Sequence, residues 1–280
     1  MTATPTHIQQ EVEAALAEDI GNGDLTAGLI AADKQAYAHI ICRDNAVVCG
    51  RPWVDEVFRQ LDESGTVNGV TIDWAVTDGE PVSAGAHVCT LAGPARQLLT
   101  GERTALNFLQ CLSATASVTR QYVDAVSHTH ATILDTRKTI PGLRLAQKYA
   151  VRCGGGANHR LGLYDAILIK ENHIEAAGGI AAAVAHSRDH GVPVEIEVET
   201  MAQLDEAIAA GVDRIMLDNF ELGAMTRAVR YTAGRVSLEA SGSIDIAGVT
   251  AIAATGVDFI SVGGLTKHIR AIDYSMRLDG

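Results

Sequence analysis

From residue 132 onward, apolar segments of strand length alternate with segments of helical character. Glycine often follows the helical segments, where it can end a helix in the left-handed conformation. This alternation is typical of parallel strands connected by helices, and its short, regular period favours an α/β barrel, with a doubly wound sheet as second choice. The predicted strands are 131–136, 166–170, 194–199, 214–218, 236–240 and 258–262, and the predicted helices include 201–210 and 246–254.

The first part of the chain has a different character. Its apolar segments are rich in β-type residues and are separated by turn sequences that contain glycine or proline, which indicates antiparallel strands. These segments are 34–48, 71–76 and 86–91. An amphipathic helix is predicted over 8–18, and Pro94 suits the beginning of a long helix that reaches residue 126.

We therefore predict an α/β protein in three parts. The parts are an N-terminal α+β open-sandwich domain (1–112), an irregular, TIM-like C-terminal α/β barrel (113–268), and a C-terminal segment (269–280) that packs back on the N-terminal domain.

Composition excludes several classes of function. The chain has 280 residues and a formal net charge of −12, so its surface repels nucleic acid and anionic membranes. The five cysteines form no Cys-x-x-Cys pair, which argues against a disulfide framework or a zinc ribbon and indicates a reducing compartment. No apolar segment approaches the roughly 20 residues that span a bilayer, and the polar start lacks the apolar region of a signal peptide. We expect a cytoplasmic protein that binds neither nucleic acid nor membranes.

Polar residues follow the predicted barrel strands, at the end where α/β barrels build their active sites. Several of the polar residues at these ends and in the loop after the first strand are basic. They are Arg137, Lys138, His159, Arg160 and Lys170. Each could be an independent surface charge, but guanidinium groups suit carboxylates and phosphates, and the convergence of basic residues favours a site for an anionic small molecule.

A row of carboxylates alternates along the third predicted barrel strand. Glu195, Glu197 and Glu199 lie on one face of it. If that face is buried, each charge is costly unless a cation pairs with it, and Arg or Lys at the neighbouring strand ends can do so. We expect Glu195 and Glu197 to be structural and Glu199, nearest the mouth, to contact the ligand.

Two small turns follow the last two predicted strands. They are Ser241-Gly242-Ser243 and Gly263-Gly264. Their backbone N–H groups can bind a phosphate, as at the last strands of phosphate-binding barrels, although ordinary connecting turns have the same composition. The sequence shows no pattern of a Ser-His-Asp hydrolase, a zinc protease or a Walker-type phosphate loop.

Nine segments together resemble those of one enzyme family, in the same order and over nearly the whole chain. They are 18–26 (EDIGNGDLT), 101–110 (GERTALNFLQ), 135–144 (DTRKTIPGLR), 154–160 (GGGANHR), 167–173 (ILIKENH), 198–200 (VET), 217–220 (LDNF), 238–242 (LEASG) and 261–268 (SVGGLTKH). The sequence resembles the quinolinate phosphoribosyltransferases, also called nicotinate-nucleotide pyrophosphorylases (carboxylating).

The resemblance implies transfer of a phosphoribosyl group from phosphoribosyl pyrophosphate to quinolinate, with decarboxylation. The products would be nicotinate mononucleotide, pyrophosphate and CO₂, in the de novo biosynthesis of NAD. It implies the catalytic residues Lys138, Lys170, Glu199 and Asp218. Mg²⁺ would be held by Glu199 and Asp218, directly or through the bound phosphoribosyl pyrophosphate.

The resemblance also implies two sets of substrate-binding residues. Arg103, Arg137, His159, Arg160 and Lys170 would surround quinolinate, and Ser241, Gly242, Ser243, Gly263, Gly264 and His268 would surround the sugar phosphate. It further implies a homodimer, in which Arg103 reaches the neighbouring subunit's site.

Three positions depart from the family's usual pattern. Ile140 stands in place of a second threonine, and Ser243 stands in place of a second glycine. Ser113-Ala114-Thr115 stands where the family has a Ser-Gly-Ile or Ser-Gly-Val run. Ser243 keeps its N–H available for phosphate as long as its backbone does not require a positive φ. These changes bear on substrate affinity rather than on the class of reaction.

Other functions stay open on the sequence alone. Lys170 ends a predicted barrel strand, the position of the lysine in Schiff-base phosphosugar aldolases, which need a lysine of lowered pKa. A paralogous pyrophosphorylase would act on another substrate, although the complete basic set favours quinolinate. A non-catalytic module would bind phosphoribosyl pyrophosphate without turnover.

Overall fold

The computed structural model describes residues 7–62 and 69–279. Residues 1–6, 63–68 and 280, which the predicted domains include, lie outside the described part. The chain divides into two compact units. The first unit comprises Met1–Val118, Ile140–Gly155 and His268–Gly280, and the second comprises Thr119–Thr139 and Gly156–Lys267.

Helices and strands alternate in the second unit, whereas in the first unit two groups of consecutive strands are separated by a helix. The helices are α1 (Ile8–Ile20), α2 (Arg51–Leu61), α3 (Ala95–Val126), α4 (Arg144–Cys153), α5 (Glu171–Ala177), α6 (Ile180–Ser187), α7 (Met201–Ala210), α8 (Leu222–Thr232), α9 (Val249–Ala253) and α10 (Gly264–Lys267). The strands are β1 (Gln35–Cys42), β2 (Ala46–Val47), β3 (Thr71–Trp74), β4 (Pro81–Val82), β5 (Ala86–Pro94), β6 (Thr132–Leu134), β7 (Ile167–Ile169), β8 (Val194–Val198), β9 (Arg214–Asp218), β10 (Ser237–Ser241), β11 (Phe259–Ser261) and β12 (Tyr274–Leu278). None of the helices in the described part of the chain has the length and apolar character that crossing a membrane requires.

The first unit contains an antiparallel sheet in the order β12-β1-β5-β3. Its core includes the fully buried side chains of Trp53 and Phe58 from α2, a helix that the sequence analysis missed. The C-terminal segment enters this sheet as β12, which pairs with β1 from Ala38 opposite Leu278 to Cys42 opposite Tyr274.

Residues 140–155 depart from the predicted division, which assigned them to the barrel domain. They belong to the first unit. The physical reason is that α4 buries Ala146, Tyr149, Ala150 and Cys153 in that unit's apolar core. The chain therefore leaves the barrel after its first strand and returns to it at Gly156.

The second unit contains the predicted parallel strands, in the order β6-β11-β10-β9-β8-β7. The two edge strands β6 and β7 do not pair with each other in the described residues, and a single bridge between Leu134 and Ala157 extends the β6 edge. The predicted C-terminal α/β domain of parallel strands is confirmed, and its irregularity in the described residues lies at the β6–β7 side.

Register places alternate residues of these strands on one face. Glu195 pairs with Leu168 and Arg214, and Met216 pairs with Glu197 and Glu239. Since side chains of paired residues in a sheet point to the same side, these residues share one face of the sheet.

The residues at the start of α7 explain how the chain is fixed directly after β8. The Thr200 hydroxyl accepts the N–H of Gln203, and the Gln203 side chain accepts the N–H groups of Glu199 and Thr200. This reciprocal cap begins the helix, and Gly211 ends it with φ 72°. Glu199 is thus fixed at the junction of strand and helix.

Candidate active site

A cavity of about 170 Å³ lies in the second unit. Ser241, at the carboxyl end of β10, and Thr136, Lys138 and Lys170, which follow β6 and β7, lie around it. The residues lining it are Thr136, Arg137, Lys138, His159, Arg160, Leu168, Lys170, Met216, Glu239, Ser241 and Ser261. The structure therefore brings together all the basic residues singled out at the barrel in the sequence, apart from His268.

Two guanidinium groups adjoin this cavity. The Nε atom of Arg137 is buried and has no hydrogen-bond partner among the described residues. Arg160 donates from Nη1 to the carbonyl of Ala166 at 3.3 Å. Burial and the charge of Arg137 lower the pKa of Arg160, against the opposing charges of Glu195 and Asp165. Two cations that repel each other in a concave site favour the binding of an anion between them.

The ends of β6 and β11 bring Lys138 against Gly263. A Cβ atom built on Gly263 would lie 3.0 Å from Cδ of Lys138 and 3.8 Å from its Nζ. The hydroxyl of Thr266 donates to the carbonyl of Lys138 at 2.9 Å, which fixes the backbone of the lysine. The absence of a side chain at Gly263 leaves space for Lys138 along the cavity.

Lys170 and the carboxylates of β8 and β9 form a second polar group. Lys170 makes an ion pair with Glu197, which confirms the structural pairing predicted for that carboxylate. Burial and the charge of Glu197 raise the pKa of Asp218, while Lys170, a hydrogen bond from Ser241 and Lys138 act in the opposite direction. Asp218 therefore experiences the charges of both lysines.

The buried side chains of His159, Glu195 and Glu239 form a further cluster with the partly exposed Arg214, and His159 and Glu239 line the same cavity. His159 Nε2 is 2.8 Å from Glu195 Oε2, and Arg214 Nη1 is 3.1 Å from Glu239 Oε2. Burial lowers the pKa of His159, but the hydrogen bond to Glu195 and the charges of Glu239 and Glu195 outweigh it, so that this pKa lies above its ordinary value.

The prediction that an arginine or lysine at a neighbouring strand end pairs with Glu195 was wrong. Each two-residue step along a strand is about 6.5 Å, and Glu195 lies two such steps before Glu199 at the mouth. Its partner is instead the loop residue His159. Buried Asp135 holds that loop, accepting the His159 N–H at 2.9 Å and the Asn158 side chain at 2.6 Å.

Comparison with known proteins assigns the chain to a family. Residues 24–113 match the model of the quinolinate phosphoribosyl transferase N-terminal domain, and residues 115–277 match that of its C-terminal domain. The chain belongs to the quinolinate phosphoribosyltransferase family. The resemblance described from the sequence is thereby confirmed.

Individual members of this family are similar over nearly their whole length. A probable nicotinate-nucleotide pyrophosphorylase (carboxylating) of Bacillus subtilis is 43% identical, over 92% of this chain and 89% of its own. The nicotinate-nucleotide pyrophosphorylase (carboxylating) of Mycobacterium leprae is 40% identical, over 95% of both. The solved structure of the Francisella tularensis nicotinate-nucleotide pyrophosphorylase is 50% identical, with a TM-score of 0.94, and the match covers 99% of this chain and 98% of that one.

Other residues that the family resemblance implicates do not line the cavity. Asp218 ends β9 half-buried, and Glu199 is exposed directly after β8. Arg103 is exposed on α3, in the first unit, and exposed His268 follows α10 in the residues grouped with that unit.

The glycine-containing turns of the quinolinate phosphoribosyltransferase pattern differ in their backbone requirements. Gly242 has φ 138°, and a Cβ there would lie 2.8 Å from Oδ1 of Asn219. Ser243 is not among the non-glycine residues of positive φ, so its departure from the family pattern introduces no strain of that kind. Gly264 begins α10.

Several residues that line the cavity were given no role in the sequence analysis. Leu168 and Met216 each lie two positions before a polar strand-end residue, and Glu239 lies two before Ser241. The signal was present, because a period of two along each strand places such residues on the same face. Thr136 and Ser261 are the other lining residues that were given no role.

Proposed function

We propose that this protein transfers the phosphoribosyl group of phosphoribosyl pyrophosphate to quinolinate and decarboxylates the product, yielding nicotinate mononucleotide, pyrophosphate and CO₂. The observation that carries the proposal is the buried, unpartnered Nε of Arg137 beside Arg160 in a cavity of this family's barrel. Planar guanidinium groups bind carboxylates through paired hydrogen bonds, and quinolinate offers two carboxylates.

The reaction needs positioning and electrostatics rather than a protein nucleophile. As pyrophosphate leaves, positive charge develops on the ribose, and the carboxylates of Glu199 and Asp218 are the proposed groups that stabilise it. Lys138, beside Gly263, is placed to attract an anionic group of the donor. After transfer, the ring nitrogen is cationic, so the electron pair left on the ring carbon by loss of CO₂ is stabilised next to a positive charge, and a proton from water then takes the place of CO₂.

The donor set also fits the Mg²⁺ that this chemistry uses. Glu199 and Asp218 offer carboxylate oxygens directly after and at the end of two neighbouring strands, and Mg²⁺ prefers oxygen ligands, including those of substrate phosphates. Glu199 is exposed, so its carboxylate can reach an ion held chiefly by the donor's phosphates. When bound, the ion neutralises charge on the pyrophosphate.

A homodimer with shared sites completes the proposal. Arg103 is exposed on α3, and the family resemblance assigns it to the neighbouring subunit's quinolinate site. The Schiff-base alternative has lost its support, because Lys170 forms an ion pair with Glu197 and an ion-paired ammonium is not a nucleophile.

A product assay with two acceptors tests the proposal. The purified protein with phosphoribosyl pyrophosphate and Mg²⁺ is expected to convert quinolinate to nicotinate mononucleotide. Nicotinate, which has one carboxylate, is expected to give a kcat/KM lower by on the order of 10²–10³-fold, since it leaves a buried guanidinium unpaired. Arg137→Gln should abolish most of this preference, with exposed Arg227→Gln as the matched control. Equal kcat/KM values for the two acids in the wild-type protein would contradict the proposal.

A further inference from the structure

The cluster of His159, Glu195, Arg214 and Glu239 contains two carboxylates but only one group, Arg214, that is a cation at every pH. Glu239 on β10 is completely buried, and Glu195 on β8 is 6% exposed. Glu239 Oε2 lies 3.1 Å from Arg214 Nη1 and 3.6 Å from His159 Nε2. The guanidinium of Arg214 also stacks on the ring of Phe259, 4.0 Å from its centroid, which fixes its position.

One oxygen of each carboxylate is left over. Glu195 Oε1 and Glu239 Oε1 are both buried and have no hydrogen-bond partner among the described residues. A carboxylate oxygen of each residue and a ring nitrogen of His159 all lie within 4.8 Å of one another. An unsatisfied buried carboxylate oxygen is costly, and two such carboxylates at this distance disfavour each other's charge.

A proton on Glu239 relieves the repulsion between the two carboxylates. The groups that face Glu239 are Glu195 from β8, His159 from its loop, Arg214 from β9 and the Ser261 hydroxyl from β11. Burial and then the charge of Glu195 raise the pKa of Glu239 to about 7, although His159, Ser261 and Arg214 act in the opposite direction. Below about pH 7 the proton on Glu239 therefore removes one of the pair's two negative charges, and Arg214 faces the charge that remains.

This proton is coupled to the lining of the cavity through His159. The backbone N–H of Arg160 donates to His159 Nδ1 at 2.7 Å, so in this arrangement the ring's proton is on Nε2, facing Glu195. The imidazole is thus held at both nitrogens. It lines the same cavity as Arg137 and Arg160.

We propose that Glu239 is a positioning residue that carries a buried proton next to Glu195, and that this proton holds His159 in place and sets the charge next to the acceptor's carboxylates. The inference rests on the proposed function. Loss of the proton places a second negative charge next to a site that binds a dianion. Because like charges repel, binding of the acceptor then weakens. Glu239 transfers no proton to the substrate, so it takes no part in the chemical step itself.

Glu239→Gln tests this inference, because glutamine retains hydrogen on the side chain at every pH. For the wild-type protein, kcat/KM for quinolinate should fall with rising pH above about 7, approaching tenfold per pH unit. In Glu239→Gln that fall should disappear or move to higher pH, and the change should be in KM for quinolinate rather than in kcat. The matched control is Glu206→Gln, on the exposed side of α7, which should keep the wild-type profile. A Glu239→Gln profile identical to that of the wild type would overturn the inference.

Thermal unfolding supplies a readout that does not depend on activity. A carboxyl whose pKa is raised in the folded state contributes stability below its unfolded pKa that is lost as pH rises toward about 7. The wild-type Tm should therefore fall relative to that of Glu239→Gln between pH 5 and pH 8. A Tm difference that is constant over this range overturns the buried proton on Glu239, whereas absence of any transfer to quinolinate by the wild type overturns the proposed function. A stoichiometric metal, retained by the wild-type protein and lost from Glu239→Gln, would also overturn the inference, because the same three side chains would then hold a metal and not a proton.

Discussion

At the scale of single residues, the role of each charge near the cavity follows from what already neutralises it. The charge of Lys170 is matched by Glu197, and that of Arg214 by Glu239. Arg137, in contrast, forms no ion pair among the described residues, and its Nε is buried without a partner. The residue types at the barrel mouth could be predicted from sequence, but which charges remain available could not, because pairing depends on register and on side-chain reach.

The carboxylates Glu199 and Asp218 should separate activity from stability. Glu199→Gln and Asp218→Asn remove charge at an exposed position and a half-buried position, so both variants should fold with a Tm near that of the wild type. Each should lose on the order of 10²-fold or more in kcat, the usual cost of removing a group that stabilises transition-state charge. Steady-state rates and melting curves measured on the same preparations check this.

The matched control for these variants is Glu197→Gln. It breaks the ion pair with Lys170 and should lower stability as well as activity. Normal turnover in both Glu199→Gln and Asp218→Asn would refute the roles proposed for these two carboxylates.

At the scale of elements, alternating patterns were the reliable guide. The parallel strands and α7 were predicted well, since a buried strand and a capped helix are encoded by neighbouring residues such as Thr200 and Gln203. β12 was not predicted as a strand, because its pairing with β1 joins residues more than 200 positions apart. The placement of α4 in the first unit is likewise a tertiary effect, set by which core its apolar face fills.

Two connecting turns should respond differently to the same small change. In Gly242→Ala, the backbone would need φ 138° and the new Cβ would meet Asn219 Oδ1 at 2.8 Å, so we expect a loss of stability of about 1–3 kcal/mol. In Gly263→Ala, the contact is with Cδ of Lys138, a flexible side chain that can move. That variant should keep its stability and instead raise KM for phosphoribosyl pyrophosphate. Urea unfolding and steady-state kinetics of both variants check the contrast, and equal loss of stability would contradict it.

At the scale of the whole molecule, the distribution of charge matters more than its sum. The chain as a whole has a formal net charge of −12, yet Arg137, Lys138 and Arg160 line one cavity. Anions are therefore bound by a local concentration of basic residues within an acidic protein. Arg103, on a helix of the other unit, does not line this cavity, and the proposed dimer gives its exposed charge a function.

Mixing two inactive variants tests the shared site. Arg103→Ala should inactivate the partner's site, and Lys170→Ala should inactivate its own. In a heterodimer of the two, one site then bears both lesions and the other bears neither, as follows from two-fold symmetry. Activity should return when the two inactive proteins exchange subunits, up to about half the wild-type value per heterodimer. If Arg103 serves its own subunit, each site of the heterodimer carries one lesion, and heterodimers verified by differential tags would stay inactive.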